Sequence, residues 1–343
     1  MGDICQPRRP RVLTMAFFAL CTLLSLLISA CGSTTPTASS TPTATHTGGT
    51  VQVMYAASLV NIMEGQIKTA FNQSTGYTFS GEAKGSLALA NEIKGHLRRP
   101  DVFISASPGV NKQLMGAANG NYVSWYINFA RSEMVIGYNP NSRFAADFQA
   151  AANGTKQWYQ VLEEPGLRLG RTDPVLDPKG QATIYLMELA EQYYKQPGLR
   201  QKVLGADENS SQVFPEEELV ARLGAGQLDA GFFYINEAKA GHISYITLPD
   251  QVNLGNPSLA ATYATATWTN PQTKQVSKGG PIVYTVTIPS TVQNQAGAQA
   301  FVAFLLSPQG QNLLQGNGLL STPLVVTGDA SSVPQSLQKY IQS

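Results

Sequence analysis

Cysteine is nearly absent from this chain of 343 residues, and the three that occur, Cys5, Cys21 and Cys31, all lie near its start. A hydrophobic segment ends just before Cys31, so we expect Cys5 and Cys21 to leave with a signal peptide. The mature chain then keeps one cysteine, which excludes an internal disulfide. Its stability must come from an ordinary hydrophobic core, for which roughly 310 residues suffice.

The motifs of metal-dependent and nucleotide-hydrolysing enzymes are missing as well. The chain has no HExxH, no paired cysteines and no glycine-rich phosphate loop. Its three histidines, His46, His96 and His242, are scattered. Ser58, a serine at a prominent position, therefore has no identifiable histidine that could activate it as a nucleophile. We predict that the protein is not an enzyme and needs no cofactor.

Excess charge of either sign is also absent, because 23 Lys and Arg stand against 22 Asp and Glu, a net charge of +1. Residues 1–30 hold three arginines and one aspartate, a net +2, which leaves −1 for the rest of the chain. This balance argues against binding to nucleic acid or to a membrane surface through a basic patch.

We also expect the protein to be a monomer.

The first thirty residues have the pattern of a secretory signal. Residues 8–11 hold three arginines, an apolar run covers 13–28, and Ile28-Ser29-Ala30-Cys31 resembles a bacterial lipobox. In such a site the thiol is acylated and Cys31 becomes the first mature residue. We predict a lipoprotein signal peptide over 1–30 and an extracytoplasmic protein anchored to the cell membrane. The alternative is a transmembrane anchor, although the apolar run is shorter than the about 20 residues of a spanning helix.

The segment after Cys31 is a candidate spacer. Residues 31–50 consist almost entirely of Ser, Thr, Pro, Ala and Gly, so they have little apolar surface to bury and are predicted to be disordered. In an extended form such a linker spans about 60 Å. That length would separate a lipid anchor from a folded body.

From residue 51 onward, short apolar strands alternate with helical patterns. The predicted strands cover residues 51–56, 77–80, 101–105, 134–138, 167–170, 229–234 and 281–289. The predicted helices cover residues 61–71, 86–97, 158–162, 181–195, 216–223, 298–306 and 309–315. Alternation of this kind predicts an α/β fold with parallel sheets and crossover helices.

Two such cycles and a return of the chain at its C-terminal end predict two lobes. Each lobe is expected to be a mainly parallel sheet flanked by helices, with a ligand cleft between the lobes. We assign residues 51–133 and 265–343 to lobe 1 and residues 134–264 to lobe 2. The chain should cross between them near 132–135 and 265–268.

Two serines mark candidate anion sites. Ser58 follows the first predicted strand, and Ser86 follows Gly85 at the start of a predicted helix. A helix N-terminus presents unpaired N–H groups and the positive end of the helix dipole, so hydroxyl groups there suit an anion. Taken alone, each serine is better explained as a simple helix cap. Two of them at the ends of strands favour a crevice site.

Three further segments carry polar groups at the ends of predicted elements. Asp177 lies in a turn with two Asp-Pro pairs, Glu216 begins an acidic helix start, and Tyr234 ends a strand. Taken singly, a rigid turn, complementation of the helix dipole and a core contact explain these residues. Their common position at element ends keeps them as site candidates.

Seven short blocks follow one another along the chain: Ala57-Ser58-Leu59, Glu82-Ala83-Lys84-Gly85-Ser86, Asp101-Val102-Phe103-Ile104-Ser105-Ala106, Trp125-Tyr126-Ile127-Asn128-Phe129-Ala130-Arg131, Asp177-Pro178-Lys179-Gly180, Gly226-Gln227-Leu228-Asp229 and Gly280-Pro281-Ile282-Val283-Tyr284. In this order they resemble the tungstate/molybdate-binding proteins of ABC importers. The resemblance covers residues 51–320. It implies a two-lobed periplasmic-binding-protein fold of type II that closes on one tetraoxoanion and delivers it to an ABC permease in the membrane.

The resemblance also implies the site residues. Ser58 and Ser86 match hydroxyl and N–H donors, and Tyr234 matches a tyrosine near the cleft. Asp177 and Glu216 match carboxylates that approach the Mo or W atom of the bound oxyanion, which makes them the implied metal-directed ligands. Glu217 is the fallback for Glu216.

One departure from the family pattern concerns the turn before the long helix. Lys179 stands where many relatives have Cys, and Gln181 replaces a common aromatic residue. A lysine beside a dianion should help affinity, and it could alter which anion is preferred. The sequence leaves open which of Glu216, Glu217 and Glu218 faces the cleft.

The carboxylates bear on the identity of the anion. A carboxylate beside a dianion is repelled by several kcal/mol at an effective dielectric of roughly 20. Sulfate has no coordination position that would offset this repulsion, whereas Mo(VI) and W(VI) can accept further hard oxygen ligands. Molybdate or tungstate is therefore the favoured ligand if Asp177 and Glu216 face the cleft. Sulfate, phosphate or a role as a sensory anion receptor remain the alternatives.

Overall fold

A computed structural model describes residues 48–341. The predicted signal peptide, Cys31 and the linker up to residue 47 lie outside the described residues. Within the described part the strands are β1 (Thr50–Ala56), β2 (Thr78–Lys84), β3 (Val102–Ser105), β4 (Trp125–Arg131), β5 (Met134–Tyr138), β6 (Leu169–Gly170), β7 (Ala230–Tyr234), β8 (Ser244–Thr247), β9 (Thr267–Thr269), β10 (Val276–Lys278), β11 (Val283–Thr287) and β12 (Val326–Gly328).

The helices of the described part are mostly short. They are α1 (Val60–Ile62), α2 (Lys68–Thr75), α3 (Ser86–Lys94), α4 (Pro108–Lys112), α5 (Ala145–Ala152), α6 (Trp158–Leu162), α7 (Pro178–Tyr194), α8 (Leu199–Leu204), α9 (Glu216–Gly224), α10 (Ile235–Ala240), α11 (Asp250–Asn253), α12 (Ala260–Tyr263), α13 (Gln295–Leu306), α14 (Pro308–Gly316) and α15 (Gln335–Gln338). A 3-10 turn, Ala57–Leu59, precedes α1, and a π-helical stretch, Met63–Ile67, joins α1 to α2.

The strands form two large sheets. The first has the order β12-β4-β11-β3-β1-β2, and the second has the order β6-β7-β5-β8. Strands β3, β5 and β7 are interior strands of their sheets and are buried along their whole length. Their nearly continuous apolar sequences are typical of strands covered on both faces.

The directions of the strands correct the expectation of mainly parallel sheets. β1 is parallel to β2 and β3, and β6 is parallel to β7, but β5, β11 and β12 run antiparallel to their partners. Met134 at the start of β5 pairs with Tyr234 at the end of β7. This pairing means that β5 enters its sheet at the edge where β7 ends. The chain reaches that edge directly from the other sheet, since only two residues separate β4 from β5. Alternating elements in a sequence do not reveal such a crossing.

β11 also runs antiparallel to its neighbours, because it follows the return of the chain to the first sheet. Thr285 in β11 pairs with Ser105 at the end of β3, and Val283 pairs with Arg131 at the end of β4. The carboxyl ends of β3 and β4 and the beginning of β11 thus share one edge of the first sheet. Loops that follow the parallel strands are brought to this edge, which is where ligands bind in open α/β sheets.

A small antiparallel pair of strands, β9 and β10, packs on α7. Trp268 Nε1 donates to Asp207 Oδ2 at 3.0 Å, the backbone N–H of Thr267 donates to Glu188 at 2.8 Å, and the hydroxyls of Tyr185 and Ser277 lie 2.6 Å apart. These bonds attach the β9–β10 hairpin to α7 and to the segment that follows α8. The predicted lobe boundaries stay predictions.

Among residues 48–341, every helix is too short or too polar to be a candidate membrane span.

Candidate functional site

The five sequence-predicted residues lie at the ends of elements from both sheets. Ser58 follows β1, Ser86 opens α3 after β2, and Tyr234 ends β7. Asp177 precedes α7, and Glu216 is the first residue of α9. All five are buried, with exposed fractions of 6% or less. Buried polar groups need partners, so their contacts indicate what the site can hold.

Ser58 belongs to a hydrogen-bond network that joins the two sheets. Its Oγ accepts from the hydroxyl of Tyr284 at 2.9 Å, and its backbone carbonyl accepts from Asn236 Nδ2 at 2.8 Å. Asn236 Oδ1 in turn accepts from Ser132 Oγ at 2.7 Å. Because Ser58 Oγ is an acceptor in this network, its own proton is free to be donated to a ligand.

Ser86 is fully buried at the beginning of α3. Its Oγ accepts from the backbone N–H of Ala106 at 3.1 Å, which links the residue after β2 to the residue after β3. The hydroxyl proton is again left over for an acceptor. The start of a helix of nine residues adds favourable electrostatics for an anion.

The start of α3 touches the turn that carries Asp177. The backbone N–H of Ala88 donates to the carbonyl of Leu176 at 3.0 Å. A Cβ at Gly85 would lie 2.6 Å from the carbonyl oxygen of Leu176 and 3.1 Å from Cβ of Asp177. The Ser86 and Asp177 segments, which are about ninety residues apart in sequence, are therefore in contact only because position 85 is glycine.

Asp177 caps α7 with one carboxylate oxygen and leaves the other without a donor. Its Oδ1 accepts from the backbone N–H of Lys179 at 2.9 Å, and Pro178 occupies the first helical position. Its Oδ2 is buried and accepts no hydrogen bond from any described residue. Burial raises the pKa of Asp177 to about 6, although the charge of Lys179 acts in the opposite direction.

Glu216 is the second carboxylate of the site. It is 5% exposed, and neither of its carboxylate oxygens accepts a hydrogen bond from the described part of the chain, although Oε1 lies 3.1 Å from Lys179 Nζ. Burial, followed by the charge of Asp177, raises its pKa well above the ordinary value. The two carboxylates thus act on each other.

The three glutamates at the start of α9 differ in their surroundings. Glu216 is buried, Glu217 is exposed, and Glu218 forms an ion pair with Arg222 at 2.6 Å. Glu216 is accordingly the one that faces the interior. This distinction was open at the level of sequence, where all three could serve the helix dipole.

Lys179 is fully buried among carboxylates. Its Nζ lies 2.7 Å from Oε1 of Glu237 and 3.1 Å from Oε1 of Glu216. Burial acts to lower the pKa of Lys179, but the negative charges of Glu216, Glu237 and Asp177 outweigh it and hold the pKa above its ordinary value. Glu237 Oε2 also accepts the backbone N–H of Tyr234 at 2.8 Å.

Tyr234 lies between the carboxylates and the serine network. Its ring meets that of Tyr284 edge-on, with the ring centroids 6.1 Å apart. Nζ of Lys179 lies 5.7 Å from the centroid of the Tyr234 ring. Burial, and then the negative charge of Asp177, raise the pKa of Tyr234 well above its usual range. Its hydroxyl stays protonated and can serve as a hydrogen-bond donor.

Sequence reasoning missed three residues that contact the candidate site: Asn236, Glu237 and Tyr284. Asn236 and Glu237 follow directly on Tyr234 in the sequence, at the start of α10, so polar residues just after a buried strand were the available signal. Tyr284 was visible only as part of a block, without a role of its own. Its hydroxyl contact with Ser58 spans 226 positions and requires the fold.

The charges of the site do not balance. Asp177, Glu216 and Glu237 face one ammonium group, that of Lys179, which gives a net −2 when all are ionised. Oδ2 of Asp177 and Oε2 of Glu216 have no donor among the described residues, and they lie in a site with two serine hydroxyls that can donate. Such a set suits a ligand with an electron-poor centre and oxygen atoms around it.

Within residues 48–341, no group of three or more His, Cys, Asp or Glu has the arrangement of a resident metal site.

Comparisons with known proteins give relatives of similar length. An uncharacterized solute-binding protein of Petrotoga mobilis is 35% identical over 300 residues, which cover 86% of this chain and 90% of the relative. A molybdate/tungstate-binding protein of Thermococcus kodakarensis, WtpA, is 28% identical over 285 residues, which cover 77% of this chain and 78% of the relative.

Solved structures show the same architecture. The periplasmic molybdate-binding protein of Azotobacter vinelandii superposes with a TM-score of 0.55 at 16% identity, covering 79% of this chain and 99% of that one. The likeness confirms the predicted two-lobed α/β fold.

A family model described as bacterial extracellular solute-binding protein matches residues 51–320. Its members are extracytoplasmic binding proteins and not enzymes, which confirms those two predictions. Since the match covers most of the chain and agrees with the relatives and the fold, the chain belongs to the family of bacterial extracellular solute-binding proteins.

Proposed function

We propose that the protein is a lipid-anchored receptor that captures molybdate or tungstate outside the cytoplasm and delivers it to an ABC permease. One observation carries the proposal. Two buried carboxylates, those of Asp177 and Glu216, leave oxygens without hydrogen-bond donors beside two serines that have protons to donate. The tungstate/molybdate name of the Thermococcus kodakarensis relative supports this choice of ligand.

The carboxylates favour a Group 6 oxyanion over other dianions. Sulfate has no free coordination position, so Asp177 and Glu216 would only repel it. Mo(VI) and W(VI) accept hard oxygen ligands beyond four, and the positive metal centre then reverses the sign of the interaction. The unpartnered oxygens of Asp177 and Glu216 are the groups that would approach the metal.

The oxygens of the anion need donors, and the first sheet supplies them. Ser58 and Ser86 each accept one hydrogen bond from the protein and keep a proton for the ligand. The N-terminus of α3 adds a positive potential at Ser86. Tyr234, which stays protonated, and Lys179, which stays charged, complete the donor set on the side of the second sheet.

Binding would act by stabilising contact between the two lobes. The bond from Asn236 Nδ2 to the carbonyl of Ser58 and the bond from the N–H of Ala88 to the carbonyl of Leu176 both join the two sides of the site. A ligand held by Ser58 and Ser86 on one side and by Asp177 and Glu216 on the other would strengthen the same closed arrangement.

Calorimetry with molybdate, tungstate, sulfate and phosphate tests the proposal. We expect molybdate or tungstate to bind and to raise the melting temperature, with a stabilisation of about 4 kcal/mol at a concentration of 1,000 times Kd. Sulfate and phosphate should compete only weakly. Equal or tighter binding of sulfate or phosphate would overturn the assigned ligand and favour a receptor for another oxyanion.

A further inference from the structure

A cavity of about 440 Å³ adjoins the proposed oxyanion site. It reaches the site through four residues: Leu87, the neighbour of Ser86; Ala106, whose N–H binds Ser86; Pro178, the neighbour of Asp177; and Tyr234. Its outer walls are formed by α4 on one side and by α7 with the β9–β10 hairpin on the other. The cavity is several times larger than one tetraoxoanion, so an ion can enter it from solvent.

The charged side chains that line this cavity are both basic. Lys112 ends α4, Lys278 ends β10, and no aspartate or glutamate lines the cavity beside them. Both lysines are exposed, and neither forms an ion pair with any of the residues 48–341. Their charges are therefore available to an ion that enters the cavity from solvent.

A second cavity reaches the site from another direction and has the opposite charge. It has a volume of about 250 Å³, and Ser58, Glu216, Glu217 and Glu237 are among the residues that line it. No lysine or arginine lines it. The two approaches therefore differ in charge: Lys112 and Lys278 line the first, and three carboxylates, two of them paired with Lys179, line the second. A dianion is attracted at one and repelled at the other.

We infer that the cavity lined by Lys112 and Lys278 is a vestibule that collects the oxyanion and guides it to the buried site. The inference rests on the proposed function, because it assumes an anionic ligand. A cleft lined by charges of one sign raises the local concentration of an oppositely charged ligand and its association rate. The acidic cavity repels dianions on the other side and thereby confines their approach to the vestibule.

The position of the lysines determines which rate constant they affect. Both are exposed at the outer walls, whereas the ligand-directed residues are buried beyond Tyr234 and Pro178. Exposed charges at the outer walls act on an approaching ion through a field that salt screens within about 10 Å at 0.1 M ionic strength. They should therefore speed association at low salt and leave the dissociation rate of the closed complex unchanged.

The test is a stopped-flow measurement of molybdate and tungstate association with the full chain. Tryptophan fluorescence can report the reaction, since Trp268 lines the cavity. We expect Lys112→Gln and Lys278→Gln each to slow association about threefold at low salt, and the double variant about tenfold. The dissociation rate should stay within about twofold of the unmodified protein, and the difference in association should disappear near 1 M salt.

Two control variants separate the route from the general effect of charge. Lys274→Gln removes the same charge from the same hairpin at a residue that does not line the vestibule, and it should slow association less than Lys278→Gln does. Glu217→Gln removes an exposed negative charge from the acidic cavity. If the ion enters through the vestibule, this variant should speed association less than about twofold.

The outcomes distinguish the vestibule from the proposed function. Complete absence of molybdate and tungstate binding overturns the proposed function and the vestibule with it. Binding with unchanged association rates in the double lysine variant overturns the vestibule alone. The route would lie through the acidic cavity instead if Glu217→Gln strongly raised the association rate and the lysine variants left it unchanged.

Discussion

Nζ of the fully buried Lys179 lies 3.1 Å from Oε1 of Glu216, so one ammonium group joins the start of α7 to the start of α9. These two helix starts carry Asp177 and Glu216, the two proposed metal-directed carboxylates. Lys179 also binds Glu237 at 2.7 Å. The lysine therefore spaces the acidic groups of the site and offsets part of their charge.

Replacement of Lys179 should destabilise the ligand-free protein. Lys179→Met leaves the buried Glu216 and Glu237 without their cation, and breaking a buried pair in this way costs about 3–5 kcal/mol. Urea unfolding of the ligand-free variant measures the loss. Lys179→Met combined with Glu237→Gln should recover part of it, because one unpaired charge is gone. Equal stability of Lys179→Met and the unmodified protein would show that the ion pairs contribute little.

Loss of the carboxylate of Asp177 should weaken binding and preserve the fold. Asp177→Ala removes an oxygen that accepts no hydrogen bond from the described residues, so we expect molybdate or tungstate affinity to fall about tenfold or more. Calorimetry measures the change, and circular dichroism checks the fold.

Asp173 supplies the matched control in the same turn. Its Oδ1 accepts the N–H of Val175 at 2.7 Å, and the side chain is half-buried. Asp173→Ala should change affinity by less than about threefold, because this carboxylate serves the turn itself. Unchanged affinity in Asp177→Ala, or an equal loss in both variants, would remove Asp177 from the site.

Neighbouring glutamates allow a test of ligand preference. Glu216→Gln keeps the shape of a buried residue and removes a charge that repels sulfate and attracts the metal centre. We expect the preference for molybdate over sulfate to fall about tenfold or more, as measured by competition calorimetry. Glu217→Gln, at an exposed position, should leave the preference unchanged. The opposite order of effects would make Glu217 the ligand.

The fold could be predicted from sequence where local patterns decide it. Helix α6 covers 158–162 and strand β5 covers 134–138, the same bounds that apolar periodicity and a β-rich run predict. Helix α7 begins at Pro178 and not at residue 181, because Asp177 caps it and proline fits its first turn. The antiparallel direction of β5 and β11 depends on crossings between the sheets, which no local pattern encodes.

The candidate site, like the fold, could be predicted from sequence only where local patterns decide it. The structure confirms that Ser86 and Glu216 lie at helix starts and shows both to be buried, and their role as ligands stays a prediction. The partnership of Lys179 with Glu237, 58 positions away, follows from the packing of α7 against the start of α10. Nothing in the turn sequence distinguishes an inward lysine from a solvated one. Long-range pairs of this kind require the fold.

The pH dependence of stability should report on Asp177. Its pKa is raised from 3.8 to about 6 in the ligand-free fold, so its contribution to stability is complete below pH 3.8 and is lost as the pH rises through 6. The stability of Asp177→Asn relative to the unmodified protein should therefore increase between pH 4 and pH 7. Denaturant unfolding at both values measures it, and a difference independent of pH would contradict it.

Removal of the predicted lipid anchor should separate location from binding. Cys31 lies outside the described residues, whereas the site occupies positions 58 to 284 of the folded part. Cys31→Ala should release the protein from the membrane fraction into the medium, since no thiol remains to be acylated. The released protein should bind molybdate or tungstate with the affinity of the anchored form, because the substitution touches none of the site residues. Fractionation followed by calorimetry measures both properties, and retention of Cys31→Ala in the membrane fraction would favour a transmembrane anchor.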